Sequence, residues 1–138
     1  ENMRILIVDD DSPNRKLLMD IASKMGECEG VDGGQEALSA FKKAWEDWRP
    51  FDLIFLDVLM PDMDGRQVLL KIREIEKDKK ISEQHQVRVI MVTGVSEEET
   101  VIDCLKNGCD EFLVKPIDIK LVFEKIKKLG LQFHPVPA

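Results

Sequence analysis

Ile5-Leu6-Ile7-Val8-Asp9-Asp10-Asp11 is four aliphatic residues without a polar break, succeeded at once by three carboxylates. A run of this length, lacking the alternation of a half-exposed strand, reads as a strand buried on both faces. The same pattern recurs at Leu53-Ile54-Phe55-Leu56, Val89-Ile90-Met91-Val92 and Phe112-Leu113-Val114. A weaker fifth candidate lies near Glu27 to Val31. Segments of helical periodicity fill the gaps. The first has Ser12 as its expected cap and Pro13 at N1, carries Leu17, Leu18, Ile21 and Met25, and ends near Gly26. A second runs from about Gln35 to before Pro50, and a third begins after Gly65. The fourth opens on the capping-box pattern Ser96-Glu97-Glu98-Glu99 and closes at Asn107-Gly108. The last starts after Asp118 and is expected to bury Ile119, Val122, Phe123, Ile126 and Leu129. Strands alternating with helices imply an α/β fold: a doubly wound parallel sheet with helices on both faces. The charge-dense stretch Glu74 to Gln86 and the segment from Gly130 read as solvated loops.

Composition narrows the function. The 138 residues fit one domain, 1–130, with a tail at 131–138. No run of about 18 apolar residues is present, so a membrane span is not expected, and the expected location is cytoplasmic. The net charge of −7 argues against nucleic-acid binding, which needs a basic footprint. Cys28, Cys104 and Cys109 lack metal-site spacing and read as reduced, semi-buried thiols.

The residues at the carboxyl end of each apolar run carry the chemistry. Asp9, Asp10 and Asp11 come after the first, Asp57 after the third strand, Thr93 after the fourth, and Lys115-Pro116 after the fifth. All strands of a parallel sheet end at one edge, where ligands bind at the topological switch point. Taken singly, Asp10 or Asp11 is explained as a helix cap, Asp57 as a turn residue, Thr93 as a strand end and Lys115 as a solvated lysine. Together they form one patch. Two carboxylates about 4 Å apart repel by roughly 4 kcal/mol at an effective dielectric near 20, so the group should raise a pKa or hold a cation. Oxygen ligands without His or Cys point to Mg²⁺. Carboxylate, Mg²⁺, ammonium and hydroxyl suit in-line phosphoryl transfer, with Asp57 as nucleophile because it stands alone at its strand end.

Ile5 to Asp11, Leu56 to Gly65 (Leu-Asp-Val-Leu-Met-Pro-Asp-Met-Asp-Gly), Val92-Thr93-Gly94 and Val114-Lys115-Pro116 resemble the signatures of response-regulator receiver domains, and the resemblance runs from Met3 to Leu129. It implies a five-stranded flavodoxin-like (βα)5 fold with strand order 2-1-3-4-5. It implies that Asp57 accepts a phosphoryl group from a histidine kinase or phosphotransfer protein. Asp9 and Asp10 would hold Mg²⁺ together with Asp57 and the backbone carbonyl of Leu59. Lys115 would contact the phosphoryl group, Thr93 and Phe112 would form the switch, and Pro116 would come after a cis peptide. A downstream protein or a second copy would read the surface of helix four, strand five and helix five. Leu59 and Val95 fall where the family tunes loss of the phosphate; both are apolar, which implies slow hydrolysis. Three other readings compete with this one. An Asp-nucleophile phosphatase of the haloacid dehalogenase type has Pro13 where it needs a hydroxyl residue. A flavodoxin-like nucleotide binder has three aspartates where it needs a Ser/Thr/Gly loop. A degenerate receiver, acting by contact alone, would not need Asp57, Thr93 and Lys115 together. Both a stand-alone chain and a segment of a hybrid kinase fit this sequence.

Overall fold

The computed structural model describes residues 3–94 and 98–131. Five strands alternate with five helices: β1 (Met3–Val8), α1 (Ser12–Ala22), β2 (Gly26–Val31), α2 (Gly34–Glu46), β3 (Leu53–Asp57), α3 (Gly65–Asp78), β4 (Arg88–Thr93), α4 (Glu98–Lys106), β5 (Glu111–Val114) and α5 (Ile119–Lys128). A short 3₁₀ turn, Glu83–His85, precedes β4. The sheet is parallel throughout, in the order β2-β1-β3-β4-β5, which is the flavodoxin-like (βα)5 arrangement. The chain passes from β1 outward to β2 and then back across to β3, so the switch point lies between β1 and β3.

The absence of alternation in the apolar runs has its cause in two cores. Leu6, Val8, Ile54, Leu56, Val89 and Met91 face α2, α3 and α4. Their neighbours Ile5, Ile7, Leu53, Phe55, Ile90 and Val92 face α1 and α5. Successive side chains point to opposite faces, and both faces are covered, so every position is apolar. β2 is an edge strand with three exposed residues, which is why its sequence signal is weak.

Several boundaries differ from the sequence reading. Asp11, not Ser12, caps α1, accepting from the Asn14 amide at 3.0 Å. Gly26 does not end α1 but opens β2, where a Cβ would sit 2.0 Å from the Met3 carbonyl oxygen. α3 continues to Asp78 instead of giving way to a loop at Glu74, because Glu76 is fully buried on its inner face. There Glu76 pairs with Arg73 at 2.6 Å and accepts the Val87 amide at 2.7 Å. In α5, Val122 and Ile126 are fully buried and Phe123 and Leu129 pack beside them, but Ile119, in the first turn, is 48% exposed. Leu131 packs against the α1–α5 core, whereas 132–138 lie outside the described residues, as do Val95 and the first half of the Ser96–Glu99 cap pattern. Among the described residues, no helix is long and apolar enough to cross a membrane. The three cysteines are free, and burial pushes the Cys109 thiol up to about 12.

Candidate functional site

The carboxyl ends of β1 and β3 are adjacent in the sheet, Val8 pairing with Leu56. The residues just beyond this pair, Asp9 and Asp10 on one side and Asp57 on the other, therefore meet. One carboxylate oxygen from each of the three lies within 4.8 Å of the others. Asp9 and Asp57 are buried and Asp10 is exposed, so the cluster is reached from solvent on the Asp10 side. β5 brings Lys115 in from the opposite direction, its Nζ standing 3.3 Å from Asp9 Oδ2 and 3.6 Å from Asp57 Oδ1. The Lys115–Pro116 peptide is cis, and the Lys115 amide donates to the Thr93 carbonyl at 2.7 Å. Thr93 is buried at the end of β4 and lines a cleft of about 510 Å³ with Val58, Leu59 and Arg66.

The electrostatics stem from this crowding. Burial and the Asp9 carboxylate push Asp57 up from 3.8 to about 7, against the lowering pull of Lys115. One ammonium does not offset three carboxylates. Asp9 Oδ1 accepts the Asp11 amide at 2.9 Å, but Asp9 Oδ2 is buried with no hydrogen-bond partner. A buried acceptor facing two further carboxylates is an arrangement that a divalent cation satisfies. The oxygen-only donor set suits a hard ion.

Phe112 is not part of this cluster. It sits two residues before the end of β5, partly buried on the α2–α3–α4 side, with the Lys125 ammonium 4.9 Å from its ring centre. The Leu59 side chain is 63% exposed, beside the Thr93 cleft.

Matching against family models decides the family: the response regulator receiver domain model covers residues 5–127. This chain is a receiver domain. Over 91% of its length it is 35% identical to the chemotaxis protein CheY of Bacillus subtilis, and the match covers 95% of that protein. It is 38% identical to the hybrid signal transduction histidine kinase L of Dictyostelium discoideum, of which it spans only 7%. Among solved structures, CheY of Borrelia burgdorferi, in a complex with CheX, BeF₃ and Mg²⁺, superposes with a TM-score of 0.78 at 32% identity, covering 94% of this receiver and 90% of that chain. The receiver domain of Ssk1 from Saccharomyces cerevisiae, crystallised with the phosphotransfer protein Ypd1, gives 0.80 at 26% identity and covers 94% and 89% of the two chains. Receivers act on their own aspartate and are not turnover enzymes, which sets the phosphatase reading aside.

Two further contacts position the site, made by residues of the Leu56 to Gly65 stretch whose partners the sequence does not name. Asp62, in the loop after β3, accepts the Gly34 and Gln35 amides at 3.0 and 3.3 Å and so caps α2 from across the site. These bonds, the Gly34 amide first, hold its carboxyl below the usual range. The α2 cap residue, Gly33, has no side chain for the task, and a Cβ there would lie 3.0 Å from Asp62 Oδ2. Gly65 is the second: its amide donates to the Val58 carbonyl at 2.8 Å, and an added Cβ would fall 2.1 Å from the Asp57 carbonyl oxygen. Only glycine lets α3 start this close to the end of β3.

Proposed function

We propose that Asp57 accepts a phosphoryl group from a histidine kinase or phosphotransfer protein in a Mg²⁺-dependent reaction, and that the change is read at α4, β5 and α5. The observation that carries this reading is the meeting of Asp9, Asp10 and Asp57 within 4.8 Å, with the Lys115 ammonium 3.6 Å from Asp57. An Asp57 carboxylate oxygen attacks phosphorus and a new P–O bond forms. The bond from phosphorus to the donor nitrogen or oxygen breaks, its electron pair leaving with the donor. Asp9, Asp10, Asp57 and the Leu59 backbone carbonyl would hold Mg²⁺, which would supply charge neutralisation for the transferred group. Lys115, between Asp9 at 3.3 Å and Asp57 at 3.6 Å, balances charge at the phosphoryl group. The Thr93 hydroxyl donates to the phosphoryl group, and its displacement lets Phe112 repack. The output surface includes Ile102 and Leu105 of α4, which are 43% and 48% exposed. Recipients are a downstream protein or a second copy, and the site of action is the cytoplasm.

Incubation with acetyl phosphate and Mg²⁺, with intact-mass measurement afterwards, tests this directly. One phosphate should add to the wild type and none to Asp57→Ala or to the wild type in EDTA. Equal phosphorylation of Asp57→Ala would overturn the assignment.

A further inference from the structure

We infer that Arg15 is a positioning residue for the acidic metal pair, acting through the main chain of Asp9; this rests on the metal-dependent reading above. Arg15 lies in the first turn of α1, where its amide bonds to the Asp11 carbonyl at 2.9 Å. Its side chain turns back, and Nη1 donates to the Asp9 carbonyl oxygen at 2.8 Å. Asp9 is then held at three points: its amide by the Val31 carbonyl at 3.2 Å, its Oδ1 by the Asp11 amide, and its carbonyl by Arg15. The first two bonds are made by backbone. The third is made by a side chain.

That third bond bears on Asp10. The Asp9 carbonyl belongs to the peptide plane that leads into Asp10, and the tilt of that plane sets the direction of the Asp10 Cα–Cβ bond. Asp9 is enclosed by packing, but Asp10 is exposed, so its carboxylate is not walled in and the direction of its backbone weighs more on where it points. A guanidinium bonded to the carbonyl holds the plane with a charge-assisted hydrogen bond, the strong kind. Lys115 and Arg15 thus serve the cluster differently, one facing its carboxylates and the other its backbone.

The route of Arg15 is also built in. Gly30 of β2 pairs with Ile7 of β1, and a Cβ at Gly30 would lie 3.5 Å from both Arg15 Cγ and Cδ and 3.0 Å from Met19 Sδ. The bare glycine leaves a slot at the sheet edge through which the arginine stem passes. Gly30 does not have a positive φ, so the close approach, not backbone conformation, is what the glycine serves here.

Two roles for Arg15 predict opposite signs. As a nearby positive charge it would weaken cation binding, and its removal would tighten it. As a tether it pre-orients the ligands, and its removal loosens them; loss of such a supporting bond costs about tenfold in metal affinity. The experiment is Mg²⁺ titration by calorimetry on the full chain for wild type, Arg15→Met, Arg15→Lys, Gly30→Val and the Arg15→Met/Gly30→Val double variant. The melting temperature of each metal-free protein and the Asp10 amide ¹⁵N shift are recorded alongside. Arg15→Met should weaken Mg²⁺ about tenfold and move the Asp10 shift, with Arg15→Lys recovering most of the affinity. Gly30→Val should reproduce the loss, and the double variant should add nothing to it. Mg²⁺ affinity in Arg15→Met within twofold of wild type, or tighter, would overturn the inference, as would additive losses in the double variant. A wild type that binds no Mg²⁺ would bring down the metal-dependent reading itself, a result distinct from a normal wild type with an indifferent Arg15→Met.

Discussion

Replacing Asp57 with Asn should stabilise the metal-free protein, and the gain should grow as the pH rises. Burial and the neighbouring Asp9 carboxylate raise the Asp57 pKa from 3.8 to about 7, and only 5% of its side chain is exposed, so solvent screens little of the effect. Three pKa units correspond to about 4 kcal/mol. The sign is set by which state holds the proton. Between pH 3.8 and 7 the folded protein keeps the Asp57 proton that the unfolded chain has released. Folding stability therefore falls with rising pH across that window and is level above it, where the whole penalty of a buried carboxylate is present. Asn carries no charge at any pH. Relative to wild type its gain should be about 1 kcal/mol at pH 4.5 and about 4 kcal/mol at pH 8. Any fixed difference in hydrogen bonding or packing cancels between the two pH values, leaving a change of about 3 kcal/mol as the quantity measured. Urea unfolding monitored by far-UV circular dichroism in EDTA would supply it. A gain that is the same at both pH values, or larger at pH 4.5, would show that the cluster does not strain the fold as described.

Glu76→Ala should destabilise by about 1 to 3 kcal/mol in urea, because it leaves the buried Val87 amide without its acceptor, while Arg73 keeps Asp110 at 3.0 Å; unchanged stability would contradict this. Gly65→Ala should cost about 1 to 3 kcal/mol and slow acetyl-phosphate labelling, since α3 must retreat from the Asp57 carbonyl to admit the methyl group. Normal stability with normal labelling would show that the loop yields freely. Leu59→Asn should shorten the lifetime of phosphorylated Asp57, measured by phosphate release in Mg²⁺. The exposed leucine gives an attacking water no polar partner, and an unchanged lifetime would contradict the expectation that this residue slows hydrolysis.

The elements that position the site are legible because each is a short problem. Ile5 to Val8 and Leu53 to Leu56 are apolar at every position, and only a strand covered on both faces asks for that. Once the strands are parallel, Asp9, Asp57, Thr93 and Lys115 must emerge at one edge. Polar side chains that work inside the protein stay hidden. Glu76 lies in a charged stretch that reads as solvated, although Leu69, Ile72 and Glu76 share one helical stripe, and that spacing is the available signal. Asp62 and Gly33 are 29 positions apart, and nothing local marks one as supplying the cap the other lacks. Ser12 reads as the cap of α1 because serine is a good cap; Asp11 is equally good, and the boundary falls one residue earlier.

These hidden contacts share a direction of effect. A site made of mutually repelling carboxylates spreads apart unless something other than the carboxylates fixes their backbones. Asp9 is tied to β2 through Val31 and to α1 through Asp11 and Arg15. The Asp57 strand end is closed by Gly65, and the loop beyond it is tied to α2 by Asp62. The ties end on main-chain groups near the cluster, except that the Asp11 amide takes Asp9 Oδ1 and leaves Oδ2 facing the other carboxylates. Asp9 Oδ2 thereby makes no hydrogen bond and has the Lys115 ammonium at 3.3 Å as an ion pair, so charge strain remains that a divalent cation would relieve. An acidic site held only by side-chain salt bridges would be more stable without a ligand and would respond less to one.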